Sequence, residues 1–255
     1  MSLRVLITND DGIDAPGLEV IRQIALGLTE DVWVVAPDGN QSGAGHRFTL
    51  GRELSFDQRG PQTFAVVGGS PADCVVAGYT HLLGGKAPDL VLSGVNQGQN
   101  LGDLINCSGT VAGAREAALQ GALGIGMSQS IDFQRGHGVD WTNSIRHGLS
   151  VVRTILAQAQ GHAVYYNVNF PNCPPDDVAG IQVVPHQRFS RSVFRYYPSD
   201  NAGKFFIAIP ETPLPLDPAH DFEVLRRDGA ITVTPLALAQ TDMSTLARLQ
   251  GKLTL

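Results

Sequence analysis

The chain has 255 residues, 43% hydrophobic and 16% charged, so it can bury a core and is neither a disordered chain nor a coiled coil. Its 18 basic and 24 acidic residues give a formal net charge of −6, which argues against a stable complex with nucleic acid. Three cysteines without CxxC spacing, no apolar run of membrane length and no signal-peptide pattern predict a cytoplasmic protein with free thiols and no membrane partner.

The first part of the chain begins with a predicted βαβ unit. Residues 3–8 are an apolar run typical of a buried parallel strand, and Pro16 begins a helical pattern that continues to Leu28. A second apolar run, residues 32–36, predicts the next strand. A unit of this kind favours a parallel sheet with a right-handed crossover.

The same alternation continues to about residue 160. Further strands are predicted at 63–67, 89–92 and 124–128, and helices from Pro71 to about His81, from Ser108 onward and over roughly 141–159. Ser70 is the expected N-cap of the helix that starts at Pro71, and residues 98–108 read as a long polar loop. This pattern predicts a doubly wound α/β core over about 1–160.

The remaining residues, about 161–255, show a different pattern of short strands separated by prolines. Strands are predicted at 163–170, 181–184 and 231–236, a hairpin-like pair at 193–197 and 204–209, and a helix at 219–228. We expect one α/β domain over 1–255, in which these added strands include segments that reach a partner subunit.

Three polar clusters follow predicted parallel strands, namely Asn9-Asp10-Asp11-Gly12, Asn40-Gln41-Ser42-Gly43 and Ser93-Gly94-Val95-Asn96. Ligands of open α/β sheets bind at the edge where such strands end. Carboxylate, hydroxyl and amide oxygens suit Mg²⁺, Mn²⁺ or Ca²⁺. The structural alternative is that Asp10 and Asp11 only cap the helix at Pro16, and sequence chemistry alone slightly favours it.

The segment Ser108-Gly109-Thr110 precedes a helix that is rich in small residues. Free backbone N–H groups and the helix dipole make such a start an anion site, although Ser108 could be only an N-cap. A site for a hard cation together with a site for phosphate indicates phosphoryl chemistry more strongly than either alone.

Seven strings resemble the SurE family in order and spacing, from Leu3 to about Leu236: ITNDDGIDAPGL, APDGNQSGAG, GGSPADCV, LVLSGVNQGQNLGD, CSGTVAGAREA, NVNFP and ITVTPL. The resemblance implies a Rossmann-like, mostly parallel sheet and a metal-dependent phosphatase of nucleoside 5'- and 3'-monophosphates. It also implies one divalent cation, Mg²⁺ or Mn²⁺ foremost with Ca²⁺ as another bound ion. A C-terminal part would build homodimers or homotetramers by exchanging segments.

Individual roles carry over where residues match the family pattern. The implied metal ligands are Asp10, Asp11, Ser42 and Asn96, and the implied phosphate contacts are Asn100, Ser108, Gly109 and Thr110. We expect Asp10, Asp11 and Asn100 to act in catalysis, with one carboxylate also orienting the attacking water. Cys107 stands where the family usually has Tyr, and residues 186–204 match the family poorly, so no residue there is assigned.

Two other functions could use an α/β core of this kind. A dinucleotide-dependent oxidoreductase would need GxGxxG after the first strand, and Asn-Asp-Asp-Gly stands there instead. A non-catalytic nucleotide or metal sensor would have the same binding residues and stays open. Neither His46 nor His220 is assigned as a leaving-group acid, because each is better explained as a surface or packing residue.

Overall fold

Eleven strands and six α-helices make up the part of the chain that the computed structural model describes, residues 3–131, 138–161, 163–209, 212 and 214–252. The strands are β1 (Val5–Thr8), β2 (Val32–Pro37), β3 (Ser55–Gly60), β4 (Thr63–Val67), β5 (Leu90–Gln97), β6 (Leu123–Gln129), β7 (Val164–Phe170), β8 (Ile181–Val183), β9 (Arg195–Pro198), β10 (Phe205–Ala208) and β11 (Ile231–Ala237). The helices are α1 (Pro16–Leu26), α2 (Pro71–Ala77), α3 (Gly109–Leu119), α4 (Thr142–Gln158), α5 (Asp221–Asp228) and α6 (Met243–Leu249).

Nine strands form one sheet in the order β3-β4-β2-β1-β5-β6-β7-β11-β8. The six strands from β4 to β7 are mutually parallel, and the pairs β3–β4 and β7–β11 are antiparallel. β1 therefore lies between the two halves of the sheet. The chain first adds strands on one side of β1, beginning with β2, and later adds strands on the other side, beginning with β5. The predicted α/β fold with a mostly parallel sheet is confirmed, and its switch point lies at β1.

Helices cover both faces of this sheet because alternate residues of each strand point to opposite sides. Val5 and Ile7 of β1 lie in the core under α1 and α4, whereas Leu6 packs in the core under α2 and α3. The crossovers through α1 and α4 lie on the same face but advance in opposite directions along the sheet. They therefore have opposite hands, which the general preference for right-handed crossovers does not predict.

Strands of the C-terminal part extend the same sheet, because β7, β11 and β8 add to its far edge. Of the strands in the described residues, only β9 and β10 lie outside this sheet, as an antiparallel pair in register from Phe205 opposite Pro198 to Ala208 opposite Arg195. This pair confirms the predicted hairpin. Among the described residues, no helix is long and apolar enough to cross a bilayer.

Most predicted elements are present with small shifts at their ends, and Ser70 caps α2 in a capping box with Asp73, as expected. Besides a short 3₁₀-helix at Pro175–Asp177, four features were not predicted. They are β3, α6, a π-helical turn at Gly78–Leu82 and a 3₁₀-helix at Gly102–Cys107 inside the expected loop. Nearly every residue of β3 and α6 is exposed, so neither segment contributes to the core. The helix α6 is only seven residues long, and its apolar side chains Met243, Leu246 and Leu249 are exposed.

Candidate active site

Asp10 lies directly after β1 and joins two other parts of the sheet edge. Its backbone oxygen accepts a hydrogen bond from the Gln41 amide at 2.6 Å, and its Oδ1 accepts one from the Thr110 hydroxyl at 2.5 Å. The side chain is buried, since the residue is only 4% exposed. Asp10 is thus held between the loop after β2 and the start of α3.

Asp11 connects the same turn to the end of β5, because its Oδ2 accepts a hydrogen bond from the Gln97 amide at 3.0 Å. The same turn also packs closely against the loop after β2, where Gly12 meets Gly39. Gly12 has a φ of +106°, and a Cβ placed there would lie 3.0 Å from the Cα of Gly39. The turn after β1, the loop after β2 and the C-terminal end of β5 therefore meet at one edge, as the parallel topology predicts. The cluster Ser93–Asn96 lies inside β5, however, and not beyond its end as predicted.

The hypothesis that Asp10 and Asp11 cap the first helix is wrong. The N-cap of α1 is Ala15, which makes no side-chain capping bond. It is Asn9 that shapes the turn, because its side chain exchanges hydrogen bonds with the backbone N–H and C=O of Gly12. Both carboxylates are therefore available for another role.

Both aspartates have raised pKa values. Burial raises the pKa of Asp10 from 3.8 to about 6, the Thr110 hydroxyl opposes this rise and the neighbouring Asp11 adds to it. Burial also raises the pKa of Asp11. Neither carboxylate forms an ion pair with a basic side chain in the described part of the chain. A bound cation would supply the missing positive charge and lower both pKa values.

Ser42 and Asn96 lie on the same edge, and neither side chain forms a hydrogen bond with the two carboxylates. Ser42 is exposed, and its amide donates to Asn40 Oδ1 at 2.8 Å. Asn96 donates its Nδ2 to the Gly98 carbonyl at 2.6 Å, which leaves Oδ1 as an acceptor. The described residues contain no group of three or more His, Cys, Asp and Glu side chains suited to a metal, so a cation here would need neutral oxygen donors such as these.

The start of α3 faces Asp10 closely. A Cβ on Gly109 would lie 2.7 Å from the Cβ of Asp10, so only glycine fits this approach, although Gly109 does not have a positive φ. Ser108 caps the helix, with its Oγ accepting from the Val111 amide at 3.1 Å. The hydroxyls of Ser108 and Thr110 are thus engaged within the protein, and the backbone N–H groups of the first turn remain as anion donors.

Asn100 is clamped by residues that sequence reasoning did not assign. Its backbone oxygen accepts from the side chains of Asn167 and Asn169, its amide donates to Asn169 Oδ1 at 2.8 Å, and its Nδ2 donates to Ser128 Oγ at 2.8 Å. Asn167 and Asn169 are fully buried on β7. Two asparagines at i and i+2 of an otherwise apolar strand were the available signal.

A second unassigned residue, Asp221 at the start of α5, anchors the same loop. Its carboxylate is fully buried and accepts hydrogen bonds from the backbone amides of Gly102 at 2.9 Å and Gln187 at 2.8 Å. Burial raises the pKa of Asp221, and these two amides oppose the rise. No sequence motif marks this contact, because Gly102 and Asp221 are 119 positions apart.

His46 packs against Glu116, in agreement with the interpretation of His46 as a surface or packing residue. Its Nε2 lies 2.9 Å from Oε2 of Glu116, a buried residue of α3 whose Oε1 accepts from Gln120. The pair ties the end of the Ser42 loop to α3. His220 likewise lies near a carboxylate, with its Nε2 at 3.6 Å from Asp217.

An open, doubly wound sheet with two carboxylates and a helix N-terminus at its switch point is typical of α/β proteins that bind a phosphorylated ligand, a cation or both at that edge. The model of one family, described as survival protein SurE, matches residues 5–192. The chain belongs to the SurE family.

Individual relatives agree over nearly the full length. A 5'-nucleotidase SurE of Azorhizobium caulinodans is 42% identical over 250 residues, which are 97% of each chain. A 5'-nucleotidase SurE of a Methylobacterium species is 40% identical and covers 96% of this chain and 98% of its own. The crystal structure of the SurE protein from Aquifex aeolicus superposes with a TM-score of 0.83 at 32% identity, covering 97% of this chain and 98% of that one.

Proposed function

We propose that this chain is a metal-dependent phosphomonoesterase that hydrolyses nucleoside 5'- and 3'-monophosphates to nucleoside and phosphate. The observation that carries this proposal is the contact between the buried Asp10 carboxylate and the start of α3, since it joins a cation site to an anion site. The relatives named 5'-nucleotidase SurE support the substrate class.

Four residues are proposed to hold one divalent cation, Mg²⁺ or Mn²⁺, through oxygen atoms: Asp10, Asp11, Ser42 and Asn96. The chemistry of these donors fits a hard cation, and a bound cation would lower the pKa values that burial raises at the two aspartates. Such a cation polarises a phosphoryl oxygen and lowers the pKa of a bound water.

Phosphate binding and orientation of the attacking water are assigned to groups of the protein at the same edge of the sheet. Backbone N–H groups at Gly109 and Thr110 bind phosphoryl oxygens, which holds the phosphate against the carboxylate edge. Asn100, fixed by its clamp of asparagines, is the further residue proposed to contact the phosphate. Asp10 or Asp11 orients the attacking water for in-line displacement of the nucleoside oxygen.

A chelation experiment distinguishes the proposed phosphatase from a non-catalytic sensor. We expect exhaustive chelation to lower phosphate release from a nucleoside monophosphate roughly 1,000-fold, because the cation stabilises the transition state by several kcal/mol. Added Mg²⁺ or Mn²⁺ should restore turnover. A protein that binds nucleotide and metal but never releases phosphate would be a sensor, and full turnover after chelation would exclude the metal mechanism.

We also propose that the protein is a homo-oligomer that assembles through the β9–β10 hairpin. Both faces of this isolated pair carry large exposed side chains, for example Tyr196 at 61%, Phe206 at 63% and Ile207 at 59% exposure. An isolated two-stranded hairpin is marginally stable, and an apolar surface of this kind is typical of an interface.

The three cysteines are free thiols, which supports action in a reducing compartment such as the cytoplasm.

Light scattering at micromolar concentration tests the assembly. We expect the mass of a dimer or tetramer for the native chain. Phe206→Lys should shift the mass toward the monomer, because it places a charge in the apolar interface. Leu50→Lys is the control, because Leu50 is 83% exposed and lies outside the hairpin, so a charge there should leave the mass unchanged. A monomeric native chain would contradict this proposal.

A further inference from the structure

The Ser42 loop, residues 38–46, follows β2 and carries one of the four proposed cation ligands. Ser42 is exposed, and the hydrogen bond that its amide donates to Asn40 Oδ1 stays within the loop. Gly43 and Gly45 have φ values of +78° and +56°, and glycine permits many other backbone conformations at little cost. The position of the Ser42 hydroxyl therefore depends on contacts between this loop and the rest of the protein.

Two backbone hydrogen bonds join the Ser42 loop to the proposed site. The Gln41 amide donates to the Asp10 carbonyl at 2.6 Å, and the Gly45 amide donates to the Cys107 carbonyl at 3.0 Å. A Cβ on Gly45 would lie 3.2 Å from the carbonyl oxygen of Asn106, so the loop packs directly against the residues before α3. The residues between Gln41 and Gly45 thus bridge the turn after β1 and the start of α3.

The last residue of the loop, His46, reaches a buried carboxylate of α3. Its Nε2 lies 2.9 Å from Oε2 of Glu116, and Gln120 donates to the other carboxylate oxygen, Oε1, at 2.7 Å. Glu116 is only 4% exposed. A buried carboxylate is costly without hydrogen-bond donors, so release of His46 from Glu116 is unfavourable and the pair holds the loop against α3.

We propose that His46 and Glu116 are positioning residues that hold the Ser42 hydroxyl at the cation. The inference rests on the proposed function, because it takes Ser42 as a cation ligand. Three residues separate His46 from Ser42, so His46 acts through the loop and not at the metal. Partners that lie behind the ligands of a metal orient those ligands, and their loss typically lowers metal affinity 10- to 100-fold.

The segment just after His46 is fixed by other contacts. The Arg47 carbonyl accepts from Ser70 Oγ at 2.6 Å, and the amide and hydroxyl of Thr49 donate to the Asp73 carboxylate at 3.0 and 2.9 Å. These bonds attach residues 47–49 to the start of α2 without any help from Glu116. The contact between His46 and Glu116 therefore has its effect on the side of the loop that carries Ser42.

A double-mutant cycle of metal affinity tests the positioning role. We expect His46→Ala and Ser42→Ala each to weaken the binding of Mn²⁺, measured by calorimetry, about tenfold. The double variant should also lose about tenfold, and not about a hundredfold, because without the Ser42 hydroxyl there is no ligand left for His46 to position. A residue that only stabilises the fold would give independent, additive losses.

Conservative variants and a control complete the cycle. His46→Gln keeps an N–H donor for Glu116, and Glu116→Gln keeps an acceptor oxygen, so both should bind Mn²⁺ within about twofold of the native chain. His46→Asn is too short to reach Glu116 and should lose about tenfold, which repeats the test if His46→Ala does not fold. His81→Ala is the matched control, because His81 is an exposed histidine in the π-helical turn after α2 and should bind like the native chain.

Amide hydrogen exchange measures the docking of the loop without metal. The Gly45 amide should exchange about fivefold faster in His46→Ala, since the loop then loses one of its hydrogen bonds to the α3 region. In Ser42→Ala, which keeps the contact with Glu116, this amide should exchange like that of the native chain.

Each outcome decides between the two proposals. Additive losses in the cycle, native Mn²⁺ affinity of His46→Ala or Ser42→Ala, or unchanged exchange at Gly45 would overturn the positioning role even in an active phosphatase. A chain that shows the coupled cycle but releases no phosphate from nucleotides would overturn the proposed reaction and keep the positioning role. A native chain that binds no Mn²⁺ would overturn both.

Discussion

Asp10→Asn is expected to lower kcat/KM for a nucleoside monophosphate on the order of 1,000-fold, because it removes a charged oxygen ligand from the proposed cation site. The substitution keeps the size of the side chain, and its amide oxygen can still accept the hydrogen bond from Thr110. The effect should therefore appear in activity and metal affinity rather than in folding. Steady-state kinetics and metal titration by calorimetry measure the two quantities.

The stability of the same variant should move in the opposite direction without metal. A carboxyl whose pKa rises from 3.8 to about 6 on folding makes the native state about 3 kcal/mol less stable at pH 7. Because the folded-state pKa lies above the unfolded one, this stability is present at low pH and is lost as the pH rises through that interval. Asn removes the buried charge, so metal-free Asp10→Asn should melt at or above the native temperature at pH 7.

Added metal should reverse that order, because it stabilises only the protein that binds it. Asp14→Asn is the matched control, since Asp14 lies in the same turn but is exposed. It should change neither kcat/KM nor the response to metal. Near-native activity of Asp10→Asn together with an unchanged metal affinity would remove Asp10 from the cation site.

Gly109→Ala is expected to lower kcat/KM roughly 100-fold, because even one methyl group at this position must displace Asp10 or the start of α3. The new Cβ would lie 2.7 Å from the Cβ of Asp10 and 3.0 Å from its Oδ2. Metal affinity should therefore fall together with phosphate binding. Metal titration and kinetics of the same preparation show whether both losses occur.

Two other variants separate this effect from general damage. Gly39→Ala is the matched control, because a Cβ there meets nothing within 4 Å and its activity should stay native. Ser108→Ala removes the cap of α3 and should cost about 1 kcal/mol of stability with a smaller loss of activity. A Gly109→Ala enzyme with native kcat/KM and metal affinity would show that the start of α3 does not form the site.

The strongly periodic elements and the meeting of the site loops could be predicted from the sequence. The alternating apolar runs of β1, β2 and β5 predict parallel strands, and parallel strands bring their carboxyl ends to one edge whatever their separation along the chain. Asp10 and the start of α3, 100 positions apart, were assigned to one site by the chemistry of their groups and by the resemblance to the SurE family, and the structure shows them in contact. The capping hypothesis was wrong because the position of an N-cap depends on local backbone geometry. The N-cap of α1 is Ala15, which makes no side-chain hydrogen bond to the helix.

The contacts that hold the site in shape had no such signal. The anchoring of Gly102 by Asp221 and the clamp around Asn100 join distant segments through side-chain hydrogen bonds, and no periodicity encodes such bonds. The opposite hands of the two crossovers likewise depend on which face α4 covers, and an amphipathic helix could cover either one. Local pattern and parallel topology thus establish which polar groups reach the edge of the sheet. Packing between distant segments establishes how closely these groups approach one another. The start of α3 can lie against Asp10 only because residue 109 is glycine, since any side chain there would clash with Asp10.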